Sequence, residues 1–334
     1  MEVSLHPYSK LTPDRVLDAI ETLGYQCDGR IFALNSYENR VYQAGIEGGA
    51  PLIAKFYRPG RWTEAQIKEE QTFSFELVDQ EWPLVAPLRD ADGKSLHKFD
   101  DFYFALFERK GGHAPELDNL DNLTVLGRCL GRMHSIGGTK RFRTRPVIDV
   151  QSYAIDSHRF VLDNGFIPPD LERAYTTLAD DLIARLQQLF KEVRYQPIRL
   201  HGDCHPGNIL WRDLGELNNA PHFVDLDDCR SGPAVQDLWM LLSGDREQQQ
   251  IQLQAILRGY RQFCFFANAE LRLIEGLRTM RLMHYAAWLA RRWDDPAFPH
   301  SFPWFNTPRY WSDHILTLRE QLAAMQEPPL EILD

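Results

Sequence analysis

Apolar positions recur along the chain in two rhythms, and the switch between them divides it. In "LTPDRVLDAIETLG", Val16, Leu17, Ile20 and Leu23 make one helical stripe, with Thr12 as cap, Pro13 in the first turn and Gly24 as stop. The period then shortens. "RIFALNSYENRVYQAGI" and "PLIAKFYRP" carry β-branched and aromatic residues around Asn, Ser and Gly turn signals, which predicts three strands between about Arg30 and Tyr57. "TEAQIKEEQTFSFELVDQ" returns to helix, with Thr63 and Gln66 at capping-box spacing. "DFYFALFERKGGH" is another strand that ends at Gly111 and Gly112, a flexible pair that marks the expected boundary. Beyond it the text is mainly helical. "LDNLTVLGRCLGRMHSIGG" puts Leu123, Leu126, Leu130 and Met133 on one face, and "PDLERAYTTLADDLIARLQQLFKEV" continues the 3.6 period. Two short apolar strands follow, in "HGDCHPGNILW" and "PHFVDLDDC", separated by the turn-rich "RDLGELNNA". The order predicts an α+β chain: a small N-terminal lobe on an antiparallel sheet over 1–110, then a larger helical lobe over 111–334.

Composition fits that picture and removes some functions. The 334 residues are 44% hydrophobic and 25% charged, ordinary for a globular protein with a sizeable core. Lys and Arg number 37 against 47 Asp and Glu, a net charge of −10 with no polybasic tail, so nucleic acid is not the expected partner. The start "MEVSLHPYSK" lacks the basic and apolar regions of a signal peptide, and nowhere do 18 apolar residues run uninterrupted. A cytoplasmic monomer with no membrane contact is the expectation. Cys27, Cys129, Cys204, Cys229 and Cys264 are scattered without a CxxC pair, which fits reduced thiols.

The chemistry gathers in "HGDCHPGN". Asp203 and Asn208 are five apart on a loop bent by Gly202, Pro206 and Gly207, and Asp225 follows after a hairpin that returns to the same end. One carboxylate and one amide oxygen suit a hard cation such as Mg²⁺ that keeps waters and shares substrate phosphates. Asp203 is then free to accept a proton from an incoming hydroxyl. This is the logic of the kinase catalytic loop, with Asp225 as the metal aspartate. Lys55 sits in the apolar strand "LIAKFY", where an unpaired ammonium is costly, so it needs an acid and a phosphate. Glu69 and Glu70 of the next helix are the candidate acids, and Glu70 is preferred because it lies three residues after Ile67 on the inward face. The loop "LNSYENR" has no glycine, so Ser36 and backbone NH groups would contact the phosphates of ATP.

HGDCHPGN, VDLDD and Lys55 resemble the aminoglycoside phosphotransferase and choline kinase superfamily, whose members share the bilobal protein-kinase fold. "AKFYRPGRWT", "LRLHGDCHPGNILWRD", "FVDLDDCRSGPAVQDLWMLL" and "RRWDDPAFPHSFPW" extend the likeness over almost the whole chain to a bacterial stress-response kinase branch. The resemblance implies ATP- and Mg²⁺-dependent phosphorylation of Ser and Thr on protein substrates. It gives Asp203 as proton acceptor, Asn208 and Asp225 as Mg²⁺ ligands, and Ser36 on ATP. It also gives Asp237 in "AVQDLW" as the brace of the catalytic loop, and His201 is expected to buttress that loop by hydrogen bonding.

Departures from ordinary protein kinases bear on the acceptor. Gly202 replaces their arginine, Leu226 and Asp227 replace the Phe and Gly of DFG, and no long activation loop follows. Small-molecule phosphotransferases share these departures, so a kinase of amino alcohols, sugars or antibiotics is the rival reading. Two others stand further off: a metal-dependent hydrolase, from HGDCH as a ligand cluster, and a non-catalytic nucleotide-binding module. The run Lys140, Arg141, Arg143, Arg145 reads first as a solvated face, and the aromatic cluster from Trp288 to Trp311 as packing.

Overall fold

The structure, a computed structural model, describes residues 7–212 and 220–332. In chain order its elements are α1 (Pro13–Glu21), β1 (Cys27–Ala33), β2 (Arg40–Ile46), β3 (Leu52–Phe56), α2 (Glu64–Asp79), β4 (His97–Phe99), β5 (Phe102–Glu108), α3 (Leu120–Gly137), α4 (Asp156–Asp163) and α5 (Pro169–Glu192). Then come β6 (Ile198–Leu200), β7 (Ile209–Arg212), β8 (Ala220–Phe223), β9 (Arg230–Gly232), α6 (Gln236–Trp239), α7 (Arg246–Tyr260), α8 (Ile274–Arg291), α9 (Ala297–Ser301) and α10 (Pro308–Ala324). They pack into two compact units. The first runs to Glu116 and also holds Phe142–Arg145 and His205–Cys229; the second holds Leu117–Arg141, Pro146–Cys204 and the chain from Arg230 on.

In the first unit the sheet order is β1-β2-β3-β5-β4, antiparallel throughout. Side chains alternate across a strand, so Leu52, Ala54 and Phe56 share one face with Phe102, Phe104 and Leu106. Helix α1 covers that face with Val16, Ala19 and Ile20, and Thr12 caps it by accepting from the Arg15 amide. The opposite face carries Ala105 and Lys55 and is covered by Ile67 of α2. Thr63 and Gln66 close a full capping box at the start of α2, which sets where its inward face begins. The hairpin β7–β8 belongs to this unit, with Ile209 opposite Phe223; the connecting residues 213–219 lie outside the described residues.

Of the glycine pair expected to flex, Gly111 stands in open space but Gly112 is tightly engaged. A side chain at Gly112 would meet the Trp211 carbonyl oxygen at 2.8 Å, and His113 exchanges backbone hydrogen bonds with Trp211 at 3.0 and 2.7 Å. Close approach, rather than freedom, is what excludes a side chain there.

The second unit is built on α3 and α7. Added carbons at Gly127 and Gly131 would lie 2.0 and 2.4 Å from the carbonyl oxygens of Ile256 and Tyr260, so the two backbones touch. The stripe Leu123, Leu126, Leu130 and Met133 is fully buried beside them. Strands β6 and β9 pair, Leu200 facing Arg230, and lead directly into His201. Phe298, Phe305 and Trp311 are 1%, 1% and 0% exposed, so these members of the aromatic cluster are core, while Trp304 is exposed. Among the described residues no helix is long and apolar enough to cross a membrane.

Candidate functional site

In the first unit, chemistry distant in sequence meets on the covered face of the sheet. The hairpin closes so that the Val224 amide donates to the Asn208 carbonyl at 3.0 Å, which sets Asp225 beside Asn208 along the backbone. Asp225 itself is left-handed, with φ 62° and ψ 68°. That conformation is uncommon for a residue with a side chain and costs on the order of 1–3 kcal/mol. The turn re-aims the carboxylate at β3: Oδ1 accepts from Lys55 Nζ at 2.8 Å, across 170 residues of chain. Asp227 Oδ1 lies 3.3 Å from the same nitrogen. Burial pulls Lys55 toward its neutral form, but Asp225, Asp227 and Glu70 outweigh it and hold the ammonium well above its ordinary range.

Asp227 is held ionised in the same way. Burial opposes its charge, while Arg61 and Lys55 keep the carboxyl below the usual range. Arg61 bonds Asp227, and its Nη2 reaches both oxygens of Asp228 at 2.7 and 2.8 Å. A planar guanidinium is the one cation that can fork across two carboxylates.

The acid expected to pair with Lys55 does not do so. Glu70 is buried on the inner face of α2 but makes no ion pair with Lys55, whose partners are Asp225 and Asp227. Its Oε2 has no hydrogen-bond partner, and burial pushes the carboxyl up to about 7 against the pull of Lys55. Two aspartates of the turn take the place that spacing assigned to Glu70. Glu69 points elsewhere: it accepts from the amides of Arg143, Thr144 and Arg145 at 2.6, 2.8 and 2.9 Å. Lys140, Arg141 and Arg143 of the basic run are exposed, as a solvated face, and Arg145 is the exception. Arg145 is buried, lies 4.0 Å over the Trp62 ring, and donates to the carbonyls of Asp227 and Cys229.

Ser36 sits in the loop between β1 and β2, where its hydroxyl donates to the Asn39 carbonyl at 2.8 Å. His205 Nδ1 accepts from the Gly207 amide at 3.0 Å and so shapes the turn that presents Asn208.

In the second unit a single carboxylate organises the loop that carries Asp203. Asp237, fully buried, accepts from the amides of His201 and Gly202 at 2.8 Å each. Gly202 is left-handed at φ +84°, a conformation that the arginine found there in protein kinases would adopt only at a cost. His134 of α3 donates from Nε2 to Asp237 at 3.0 Å, and its Nδ1 lies 2.9 Å from the Tyr260 hydroxyl on α7. The close packing of α3 on α7 makes that reach possible. Asp203 is met by α8: Arg281 Nη1 donates to its Oδ1 at 2.6 Å. Cys204 beside it is buried, and burial pushes its thiol well above the ordinary range, so it is inert filling.

The comparisons with known proteins bear on the family and the fold. The sequence profile of the phosphotransferase enzyme family matches residues 31–274. The chain belongs to this family. The phosphotransferase is similar over nearly all its length to stress response kinase A of Escherichia coli strain K12, with 46% identity over 332 residues and 99% of each chain covered. It is also similar to the serine/threonine protein kinase RdoA of Salmonella typhimurium strain LT2, with 43% identity over 325 residues and 97% of each covered. Among solved structures it shares the fold of an amicoumacin kinase in complex with AMP-PNP and Ca²⁺, at TM-score 0.72 and 21% identity, covering 96% of this chain and 95% of that one. A microcompartment-associated aminopropanol kinase follows at TM-score 0.69 and 17% identity, covering 95% and 99%. The phosphotransferase has the α+β, protein-kinase-like fold.

Several residues of the candidate site receive no role from the motifs. Arg61 and Asp227 lie in "AKFYRPGRWT" and "VDLDD", which assign them no role; the physical signal is the row of acids inside the apolar text "FVDLDDC", which demands a buried cation. His134 sits four residues after Leu130 on an apolar helix face, a position that reads as core until its two partners are known.

Proposed function

We propose that the chain transfers the terminal phosphoryl group of ATP, with Mg²⁺, to Ser and Thr hydroxyls of proteins. The observation that carries this is the pairing of Lys55 with Asp225 at 2.8 Å, in a turn whose left-handed backbone aims that carboxylate. Two relatives that cover the chain almost end to end are named as a stress response kinase and a serine/threonine protein kinase.

In this reading the acceptor oxygen attacks the γ-phosphorus as the bond to the β-phosphate oxygen breaks and ADP leaves. The hydroxyl proton passes to the Asp203 carboxylate, which Arg281 orients through its other oxygen atom. Asp225 and Asn208 supply the oxygen donors for Mg²⁺. The fit is chemical: Asp225 is half-exposed and its partner Lys55 is a cation that a phosphate would also attract, so the carboxylate can change partners without being left bare. Bound there, Mg²⁺ would neutralise phosphate charge. Lys55 and Ser36 hold the nucleotide, Glu70 stands behind Lys55 as a reserve acid, and His201 and Asp237 keep the Asp203 loop in shape.

Asp203→Ala should lower phosphoryl transfer by about 10²–10⁴-fold, the usual worth of a positioned base, with the melting temperature unchanged. Transfer that persists undiminished removes Asp203 from its role. Labelled ATP offered to model proteins and, separately, to a panel of hydroxyl metabolites decides the acceptor. The second reading, a small-molecule kinase, is favoured by the amicoumacin and aminopropanol kinases that share the fold. Label on metabolites alone would establish it.

A further inference from the structure

Arg61 lies in "AKFYRPGRWT" but has no role in the kinase chemistry read from the motifs, yet it is among the most heavily engaged side chains of the first unit. Its side chain is 12% exposed. On one side it grips Asp227 and Asp228, the two residues that follow Leu226 in the turn after Asp225. On the other, its Nε lies 3.9 Å from Glu38 Oε1, and Arg58 Nε lies 3.7 Å from the same oxygen. Glu38 is two residues from Ser36. The loop is closed on itself by Ser36 donating to the Asn39 carbonyl, and it is pinned to the strand end by the Arg58 amide donating to Asn39 Oδ1 at 3.1 Å. A continuous line of contacts therefore runs from the Ser36 loop through Glu38 and Arg61 to the turn of Asp225.

We propose that Arg61 is a positioning residue that couples the Ser36 loop to the Asp225 turn, so that the two parts that would meet the nucleotide and its cation move as one body. The coupling rests on the roles proposed above for Ser36 and Asp225. Its physical cause is charge: this turn carries Asp225, Asp227 and Asp228 within four residues, and where other kinases have a neutral Phe-Gly the extra carboxylate needs a forked cation to stay buried. The same cation lies within ion-pair reach, 3.9 Å, of a third acid, Glu38, of the loop.

The test cuts the line at each end in the full-length protein. Arg61→Lys keeps the charge and loses the fork; Glu38→Gln keeps the shape and loses the loop end. In the protein without nucleotide, amide hydrogen exchange should quicken in both 34–39 and 224–229 whichever variant is used. Calorimetric affinity for Mg²⁺–AMP-PNP should weaken about tenfold in Arg61→Lys and about threefold in Glu38→Gln, with the acceptor KM unchanged. Exchange that quickens only next to the substituted residue, or affinities within about twofold of the parent's in both variants, would overturn the coupling. A parent protein that binds no Mg²⁺–AMP-PNP would sink the proposed function instead, and the exchange result would still decide the link.

Discussion

The surroundings of Lys55 and those of Asp237 solve the same problem, a charged group kept away from water, by opposite means. Lys55 is balanced by other charges: two aspartates, a third acid nearby and the competing Arg61. Asp237 is balanced by hydrogen-bond donors, two backbone amides and one imidazole, in fixed directions. Ion pairs of that kind can be exchanged for others when a charged ligand arrives. Donors aimed by a backbone cannot. The first arrangement suits a place where partners change, the second a place that must not move.

Breaking the rigid side should cost most. Asp237→Ala leaves two buried amides and His134 without their acceptor, and should lower stability by about 3–5 kcal/mol, read by urea unfolding, with activity lost in parallel. The exchangeable side should show itself through pH. The native Glu70 carboxyl keeps its proton up to about 7 because of burial, whereas the unfolded chain releases it near 4.5. Between those values the native state holds the extra proton, so this group's contribution falls as pH rises and is gone above about 7. Glu70→Gln cannot titrate and should therefore match the parent near pH 4 and exceed it by about 3 kcal/mol above pH 7, measured by unfolding at several pH values. The smallest effect is at the rim of the rigid side. Tyr260→Phe removes one hydrogen bond to His134 and should cost about 1 kcal/mol, with turnover nearly unchanged. A loss as large as that of Asp237→Ala would show that the hydroxyl is part of the brace itself.

The α+β order was legible because each element carries its own local marks: Thr12 and Pro13 before α1, Thr63 and Gln66 around the start of α2, the apolar run Leu52–Phe56 between turn signals for β3. The closeness of Asn208 and Asp225 was legible for the same reason, since a hairpin joins them. What failed to show were contacts between distant segments. Spacing puts Glu69 and Glu70 on adjacent faces of α2, but it cannot say that three amides some 74–76 residues away wait for one of them. Nor does an aspartate announce a left-handed backbone, as a glycine would. Gly112 read as freedom for the opposite reason: a residue without a side chain looks the same in text whether it bends or is pressed against a carbonyl.

The discontinuity of the first unit has a consequence for biosynthesis. Its sheet is complete once Glu108 has been made, but its last segment ends at Cys229. On the ribosome, Lys55 must wait for some 170 further residues before Asp225 and Asp227 emerge to neutralise it. Until then the buried face of β3 holds an uncompensated ammonium, which disfavours closure of α2 over it, so this part of the molecule should finish folding late although it is translated first.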